Sequence, residues 1–395
     1  MNRAAPAAPE TMTLNVGPQH PSTHGVLRLL LELDGETIVR ATPDIGFLHT
    51  GIEKSAEKLF YSQVIPLTDR IDYLAPLSNN LVYCLAVEKL LGLEVPPRAR
   101  HLRVLLTELT RLNNHLVWLG TTGIELGAMS VFLYCFRERE EILNLFELVS
   151  GQRMMTSYFR VGGLMLEPPP SFFKGVERFL RLMSSRLGEY EDLLTENKIW
   201  KARTIGVGII STEDAIAWGL SGPNLRATGL PFDLRKSQPY SGYEQFQFDV
   251  ATAPDGDAYS RYVVRLAEMR QSLRIVRQAL DSLPGGPVRA VAPGIILPER
   301  EKMKAEMEAL IYHFKIVTDG FAPPVGEVYV AIESPKGEVG CYLVSDGSPR
   351  PWRMRWRGPS FLNVQVMAKL LPGRLFADAI ATVASLDFVL GEVDR

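Results

Sequence analysis

Cysteine is the first scarcity. The chain holds three, Cys84, Cys135 and Cys341, among 395 residues. They are odd in number, far apart and set in the apolar stretches "VYCLAV", "FLYCFR" and "VGCYLV". That pattern reads as buried free thiols in a reducing compartment, not as a disulfide framework. No two form a CxxC pair, and three thiolates cannot supply the four that an iron–sulfur cluster usually takes. Histidine is sparse too, at six residues. His101, His115 and His313 lie in helical patterns with no second ligand at metal-binding spacing, so no zinc site is expected.

An excess of charge of one sign is also missing. The net charge is −2 with acids and bases interspersed, so no basic face points to nucleic acid and no polybasic tail to anionic lipid. No run approaches 18 uninterrupted apolar residues, and "MNRAAPAAPE" lacks the apolar centre of a secretory signal; at a membrane such a chain would dock from the side. The glycines at 17, 25, 35, 46 and 51 form neither GxGxxG nor a phosphate loop, and no GxSxG occurs. Nucleotide binding and serine hydrolysis therefore lack their signatures.

What is present is ordinary globular material, 46% hydrophobic and 22% charged, enough to bury a sizeable core. Val26 to Val39 alternates and turns at Asp34-Gly35, a hairpin signal. From about residue 53 the period changes. Leu102, Leu105, Leu106, Leu109, Leu112, Leu116 and Leu119 recur at threes and fours, predicting a long helix begun after Pro96-Pro97. Similar patterns predict helices at 130–149, 170–196 and 257–282. After the break "LPGGPVRAVAPG", a short helix is expected at 300–315, then strands in "GEVYVAIES", "GEVGCYLVSDG" and "PWRMRWR", and a last helix near 372–386. The expected fold is α+β: a flexible N-terminus (1–11), an N-terminal β lobe (12–52), a central helical bundle (53–290) and a C-terminal α/β lobe (291–395).

Two stretches carry unusual chemistry. "GPQHPSTHGVLR" (17–28) sets His20 and His24 about a turn, where an imidazole can be aimed into a cleft or simply brace a loop. "PLTDRIDYLAP" (66–76) packs Asp69, Arg70, Asp72 and Tyr73 among apolar residues. Charges there are expensive to bury unless paired or used. Either the aspartates lock Arg70 in an ion pair, or Tyr73 and Arg70 face a cavity wall.

Longer motifs go further. "GPQHPSTHGVLRLLLELDGE", "GFLHTGIEK", "LTDRIDYL", "RLNNHLVWLGTTGIELGAMS", "FREREEILNLFELVSGQRM", "WKARTIGVGIIS", "DLRKSQPYSGY", "SPKGEVGCYLVSDGS" and "GEVDR", in this order, resemble the D-type subunit of bacterial NADH-quinone oxidoreductase, respiratory complex I. The resemblance runs from about residue 12 to the last residue. It implies a fold like the large subunit of nickel–iron hydrogenases, with the former metal cavity receiving a quinone headgroup. The stretches corresponding to the two hydrogenase CxxC pairs are "RIDYLA" (70–75) and "DFVLGE" (387–392), and neither holds a cysteine, which excludes a nickel–iron site.

The resemblance further implies that His24 and Tyr73 donate hydrogen bonds to the two quinone carbonyls. Glu125 is then the carboxylate partner of the histidine, replacing the aspartate many relatives carry, and Asp387 and Val389 line the cavity floor. Arg70, Arg153 and Met155 are placed near a four-iron cluster held by a neighbouring subunit; Met155 stands where many relatives have histidine, and Thr50 where many have arginine. No cofactor is assigned to this chain alone. Quinone is the substrate, and the partners are other complex I subunits: the terminal-cluster subunit, the C-type subunit and the membrane-embedded quinone-channel subunit. The implied location is the cytoplasmic side of the cell membrane, as a peripheral protein in a proton-pumping enzyme. Two rivals are the large subunit of a membrane-bound hydrogenase-related complex and a non-catalytic scaffold for the cluster-bearing subunit.

Overall fold

The computed structural model describes residues 11–19 and 25–395. His20, His24 and nearly all of the stretch set apart as the N-terminus (1–11) lie outside these residues. The fold mixes helices with small antiparallel sheets, an α+β arrangement.

Strands β1 (Met12–Val16), β2 (Arg28–Asp34) and β3 (Thr37–Asp44) form a meander. The turn between β2 and β3 places Gly35 at a φ of +60°, the left-handed conformation that costs glycine least. Leu29, Leu31 and Leu33 of β2 all point to the buried face, as period-two alternation requires. A register shift between Glu32 and Leu33 lets Ile38 and Ala41, three apart, share that face on β3.

Five long helices dominate the middle: α1 (Pro76–Leu91), α2 (Pro97–Glu125), α3 (Met129–Ser150), α4 (Pro170–Leu194) and α5 (Ala258–Asp281). Proline opens α1, α2 and α4 at the first helical position, where a missing N–H removes no bond. Gly92 and Gly151 end α1 and α3 in left-handed conformation. The Asp257 carboxylate caps α5 through the Ser260 N–H at 2.7 Å. Helix α2 is buried on nearly every side, its leucines sharing the interior with Arg103, Glu108, Arg111, Asn113, Asn114 and His115. A helix buried all round must satisfy its polar side chains inside the protein.

Strands β4 (Gly326–Ser334), β5 (Gly337–Ser345) and β6 (Arg353–Arg357) make a second antiparallel sheet that packs on α1. The N-terminal sheet completes its core with a distant part of the chain. Leu29, Leu31 and Ile38 pack with Val364, Met367, Leu371, Val383 and Phe388 in one apolar cluster. Backbone bonds reinforce the join, Ile38 N–H to Arg374 O at 2.8 Å and Gly373 N–H to Ile38 O at 2.7 Å.

Two expectations need correction. The helix expected at 300–315 is two helices, Arg300–Ala305 and Met307–Asp319, separated by Glu306 in extended conformation. The last predicted helix is Phe376–Ser385, because Gly373 and Phe376 give their N–H groups to the β2–β3 hairpin. A short helix, Leu390–Asp394, follows it.

Candidate functional site

Tyr73 sits in the turn between the helix Tyr61–Thr68 and α1, and its ring is half-buried. Both neighbours are pinned. Asp72 Oδ1 accepts from Leu74 N–H at 3.1 Å, Asp72 O accepts from Asn79 Nδ2 at 3.3 Å, and Leu74 O accepts from Asn113 Nδ2 at 3.1 Å. These bonds hold the backbone that carries the phenol. Burial raises the Tyr73 pKa, as does the Asp72 charge, while Lys336 opposes them. The hydroxyl is therefore a neutral donor at physiological pH.

The ion-pair lock expected as one reading of this stretch is not formed. Asp69 and Asp72 are both buried, but Arg70 is exposed and neither carboxylate pairs with it. Asp72 Oδ2 instead meets Lys336 Nζ at 2.9 Å. Asp69 Oδ2 accepts from Ser157 N–H at 3.0 Å and from the Ser157 hydroxyl. Burial pushes the Asp69 carboxyl up to about 6 against those bonds. The Asp69–Ser157 link ties the turn bearing Arg70 and Tyr73 to the loop bearing Arg153 and Met155. Met155 is half-buried there. The Arg153 guanidinium lies against α3, bonded to Glu140 Oε2 at 2.5 Å and Asn144 Oδ1 at 3.0 Å.

The second corresponding stretch, 387–392, packs directly on the first. A Cβ on Gly391 would lie 2.7 Å from Ile71 O and 2.9 Å from Arg70 O, so only glycine fits between the segments. Asp387 is buried with a φ of +51°, which a non-glycine residue adopts only when its surroundings impose it. Here they do. Leu386 O accepts from Asn224 and Asn363, Ser385 O accepts from Arg265, and Asp387 Oδ2 accepts from Asn114 Nδ2 at 2.8 Å. Val389 is buried too, its N–H bonded to Ser360 Oγ at 3.2 Å. Glu392 accepts from Ser360 N–H at 2.9 Å, and burial together with the Asp72 charge lifts its carboxyl to about 7.

Glu125 closes α2 and is half-buried; burial lifts its carboxyl to about 8. The structure thus packs the stretch that bears Tyr73 on the stretch that bears Asp387 and Val389, one wall of the candidate site, and joins Arg70's turn to Arg153's loop. His24 lies outside the described residues, so its distance to Glu125 is not defined.

Two residues at this wall, Lys336 and Asn114, are not among the candidates read from the sequence. Lys336, at the tip of the β4–β5 hairpin, is wholly buried and donates to both Asp72 and Asn114. Asn114 then donates to Asp387, so the two residues bridge the stretches 70–75 and 387–392. The hairpin reaches inward because two backbones meet without side chains: a Cβ on Gly222 would sit 2.4 Å from Gly337 Cα. Behind the wall a buried ionic network continues. Glu268 joins His115 at 3.0 Å and Arg226 at 2.5 Å; Arg226 reaches Glu333 at 2.8 Å; and Glu108 joins Arg111 at 3.2 Å and Arg235 at 3.1 Å. Burial drives His115 towards its neutral form against the pull of Glu268.

Among the described residues no group of three or more His, Cys, Asp or Glu side chains is arranged to hold a metal ion. The three cysteines are buried and free. A groove of about 640 Å³ along Leu166, Val288, Ile296 and Tyr312 shares no residue with the Tyr73 wall. No described helix is long and apolar enough to cross a membrane.

Comparison with known proteins agrees in one direction. Residues 125–395 match the family described as the respiratory-chain NADH dehydrogenase 49 Kd subunit. The chain is 64% identical over 384 residues to the first of the D-type subunits of NADH-quinone oxidoreductase in Solibacter usitatus, covering 97% of this chain and 94% of that protein. It is 62% identical to the second D-type subunit of Koribacter versatilis, covering 98% and 96%, and 56% identical to the D-type subunit of Geotalea uraniireducens, covering 98% and 100%.

Proposed function

Because this chain belongs to the family of the respiratory-chain NADH dehydrogenase 49 Kd subunit, the D-type subunit of the NADH-quinone oxidoreductases, and so forms part of a multisubunit NADH:quinone oxidoreductase, we propose that it is the member of the complex that binds and helps protonate the quinone headgroup. The observation that carries the reading is the Tyr73 wall: a half-buried phenol between two pinned neighbours, in a stretch packed against the segment that contains Asp387 and Val389. A hydrogenase-like cavity emptied of its metal is the fold reading that accommodates such a wall.

In this reading the Tyr73 hydroxyl donates to one carbonyl and His24 to the other, which fixes the ring's orientation. The headgroup oxygens gain negative charge as the quinone is reduced, and donors already aimed at them stabilise that charge without reorganising. An imidazole near its ordinary pKa of about 6.5 can also deliver a proton at neutrality. Glu125 is assigned as the acidic partner of His24; with its carboxyl protonated up to about pH 8 it offers O–H and C=O instead of a charge. A four-iron cluster in a neighbouring subunit, close to Arg70, Arg153 and Met155, supplies the electrons. The surroundings are completed by the C-type subunit and by a membrane-embedded quinone-channel subunit. They hold the protein at the cytoplasmic side of the cell membrane, and quinone reduction there drives proton pumping.

The test is Tyr73→Phe in the intact complex. The ring volume is kept and one donor is lost, which costs roughly 2 to 4 kcal/mol at a developing oxyanion and slows turnover roughly 30- to 1,000-fold. A complex that assembles and turns over at the wild-type rate returns the chain to the role of scaffold.

A further inference from the structure

We propose that Lys336 is a positioning residue for the quinone chemistry, acting through Asp72 on Tyr73. The inference rests on the assignment of Tyr73 as a quinone donor and adds the group that makes that donor effective.

A lysine in a two-residue hairpin turn ordinarily extends into water, because its ammonium is strongly hydrated. Lys336 does the opposite: its side chain has no exposed surface. Burying an ammonium demands compensation, and here it comes from one carboxylate and one amide. Lys336 Nζ meets Asp72 Oδ2 at 2.9 Å and donates to Asn114 Oδ1. The charges of Asp387 and Glu392 also act on the ammonium. Lys336 thus lies among three acids from two separate segments, and the one it contacts directly adjoins Tyr73.

Two consequences reach the phenol. The first is geometric. Asp72 uses Oδ1 to hold Leu74 N–H and Oδ2 to hold Lys336, so its side chain is fixed at both ends and the backbone between residues 72 and 74 with it. Tyr73 is the residue between. The second is electrostatic. A headgroup oxygen bonded to Tyr73 becomes more negative during reduction, and an unbalanced Asp72 carboxylate one residue away opposes that change. Lys336 cancels the opposition, and the bridge from Asn114 to Asp387 holds it in place. Among the described residues, the charged groups acting on the Tyr73 hydroxyl are these two, with opposite effects.

The experiment compares quinone-reductase kinetics, per assembled complex, of Lys336→Gln, Tyr73→Phe and both together, with the paired variant Asp72→Asn, Lys336→Gln. Glutamine keeps an N–H donor and removes the charge, on a side chain one atom shorter; the paired variant, which has the same shortened side chain, separates the loss of charge from the loss of reach. Lys336→Gln lowers kcat by about tenfold while leaving KM for quinone nearly unchanged, because the contribution grows as charge develops. In the Tyr73→Phe background the same substitution adds little. The paired variant, neutral on both sides, recovers most of the turnover; it also carries the test if Lys336→Gln alone does not assemble. A loss that multiplies with that of Tyr73→Phe, or a paired variant no faster than the single one, overturns the inference, since a merely structural lysine behaves that way. Slow Tyr73→Phe with wild-type Lys336→Gln overturns this inference alone, whereas wild-type Tyr73→Phe overturns the quinone-site reading beneath it.

Discussion

Replacing Glu125 by glutamine tests what burial does to the acid at the end of α2. The carboxyl is lifted from its ordinary 4.5 to about 8, with burial as the cause. The folded chain then binds a proton that the unfolded chain has released between those two values, so wild-type stability falls as pH rises from about 4.5 to 8 and levels off above. At about 1.36 kcal/mol per unit, the three units from pH 5 to pH 8 amount to roughly 4 kcal/mol. Glutamine has the shape of the protonated acid and does not titrate. The variant and the wild type should therefore be close in stability at pH 5, and the variant should be the more stable by about that amount at pH 8. Urea unfolding of the isolated chain, followed by far-ultraviolet circular dichroism at pH 5, 6, 7 and 8, measures the difference directly. Parallel curves for the two chains would mean that the carboxyl titrates at the same pH folded and unfolded, and the burial argument fails. A difference of the opposite sign would place a cation or hydrogen-bond donors on the Glu125 carboxylate, since either pulls a buried acid down.

Other expectations follow from named contacts. Gly222→Ala puts a methyl against the Gly337 backbone at a φ of +63°, where no rotamer relieves it; a loss of at least about 2 kcal/mol is expected, and an unchanged unfolding midpoint contradicts the seating of the β4–β5 turn. Arg226→Met leaves Glu268 and Glu333 buried without their shared cation and costs about 3–5 kcal/mol, whereas Arg178→Met on the exposed pair with Glu141 costs less than about 1 kcal/mol. Thermal melts of both variants separate the cases. If the proposed four-iron cluster of the neighbouring subunit lies beside residue 155, methionine there cannot exchange a proton, and the cluster's midpoint potential should stay nearly flat from about pH 6 to 8. Met155→His should then add a slope towards about 59 mV per pH unit. Redox titration of the cluster's paramagnetic signal reads both, and a full slope in the wild type assigns the coupling to another group.

Much of the fold was legible because local signals agreed with the final packing. The Asp34-Gly35 turn, the prolines that open α2 and α4, and the leucine stripe of α2 each fix an element without help from distant residues. The break at Glu306 carried no such signal: neither proline nor glycine marks it, and the periodicity runs on through it. At the site, Tyr73 and Asp387 came from motif resemblance, not from pattern. Lys336 stands within "SPKGEVG" with nothing to mark a role, because a lysine beside glycine in a turn looks like a solvated loop tip. Its partners are 264 and 222 residues away, and nothing local reports a contact of that range. The pair "NN" in α2 was the available clue, since two amides inside a leucine stripe must bond to something.

The N-terminal sheet has a consequence for synthesis. Its leucine face is covered by residues 364–393, and the Gly46 and Leu48 N–H groups are held by the Asp394 carboxylate at 2.8 and 2.7 Å, across 348 and 346 residues of sequence. At about 5–20 residues per second on a ribosome, the covering segment emerges roughly 20–70 seconds after the strands. For that interval Leu29, Leu31 and Leu33 have no native partner from this part of the chain, and the hairpin is a sticky nascent edge. A holdase that recognises short leucine-rich segments should engage the growing chain early and leave only as the last turn of helix is made.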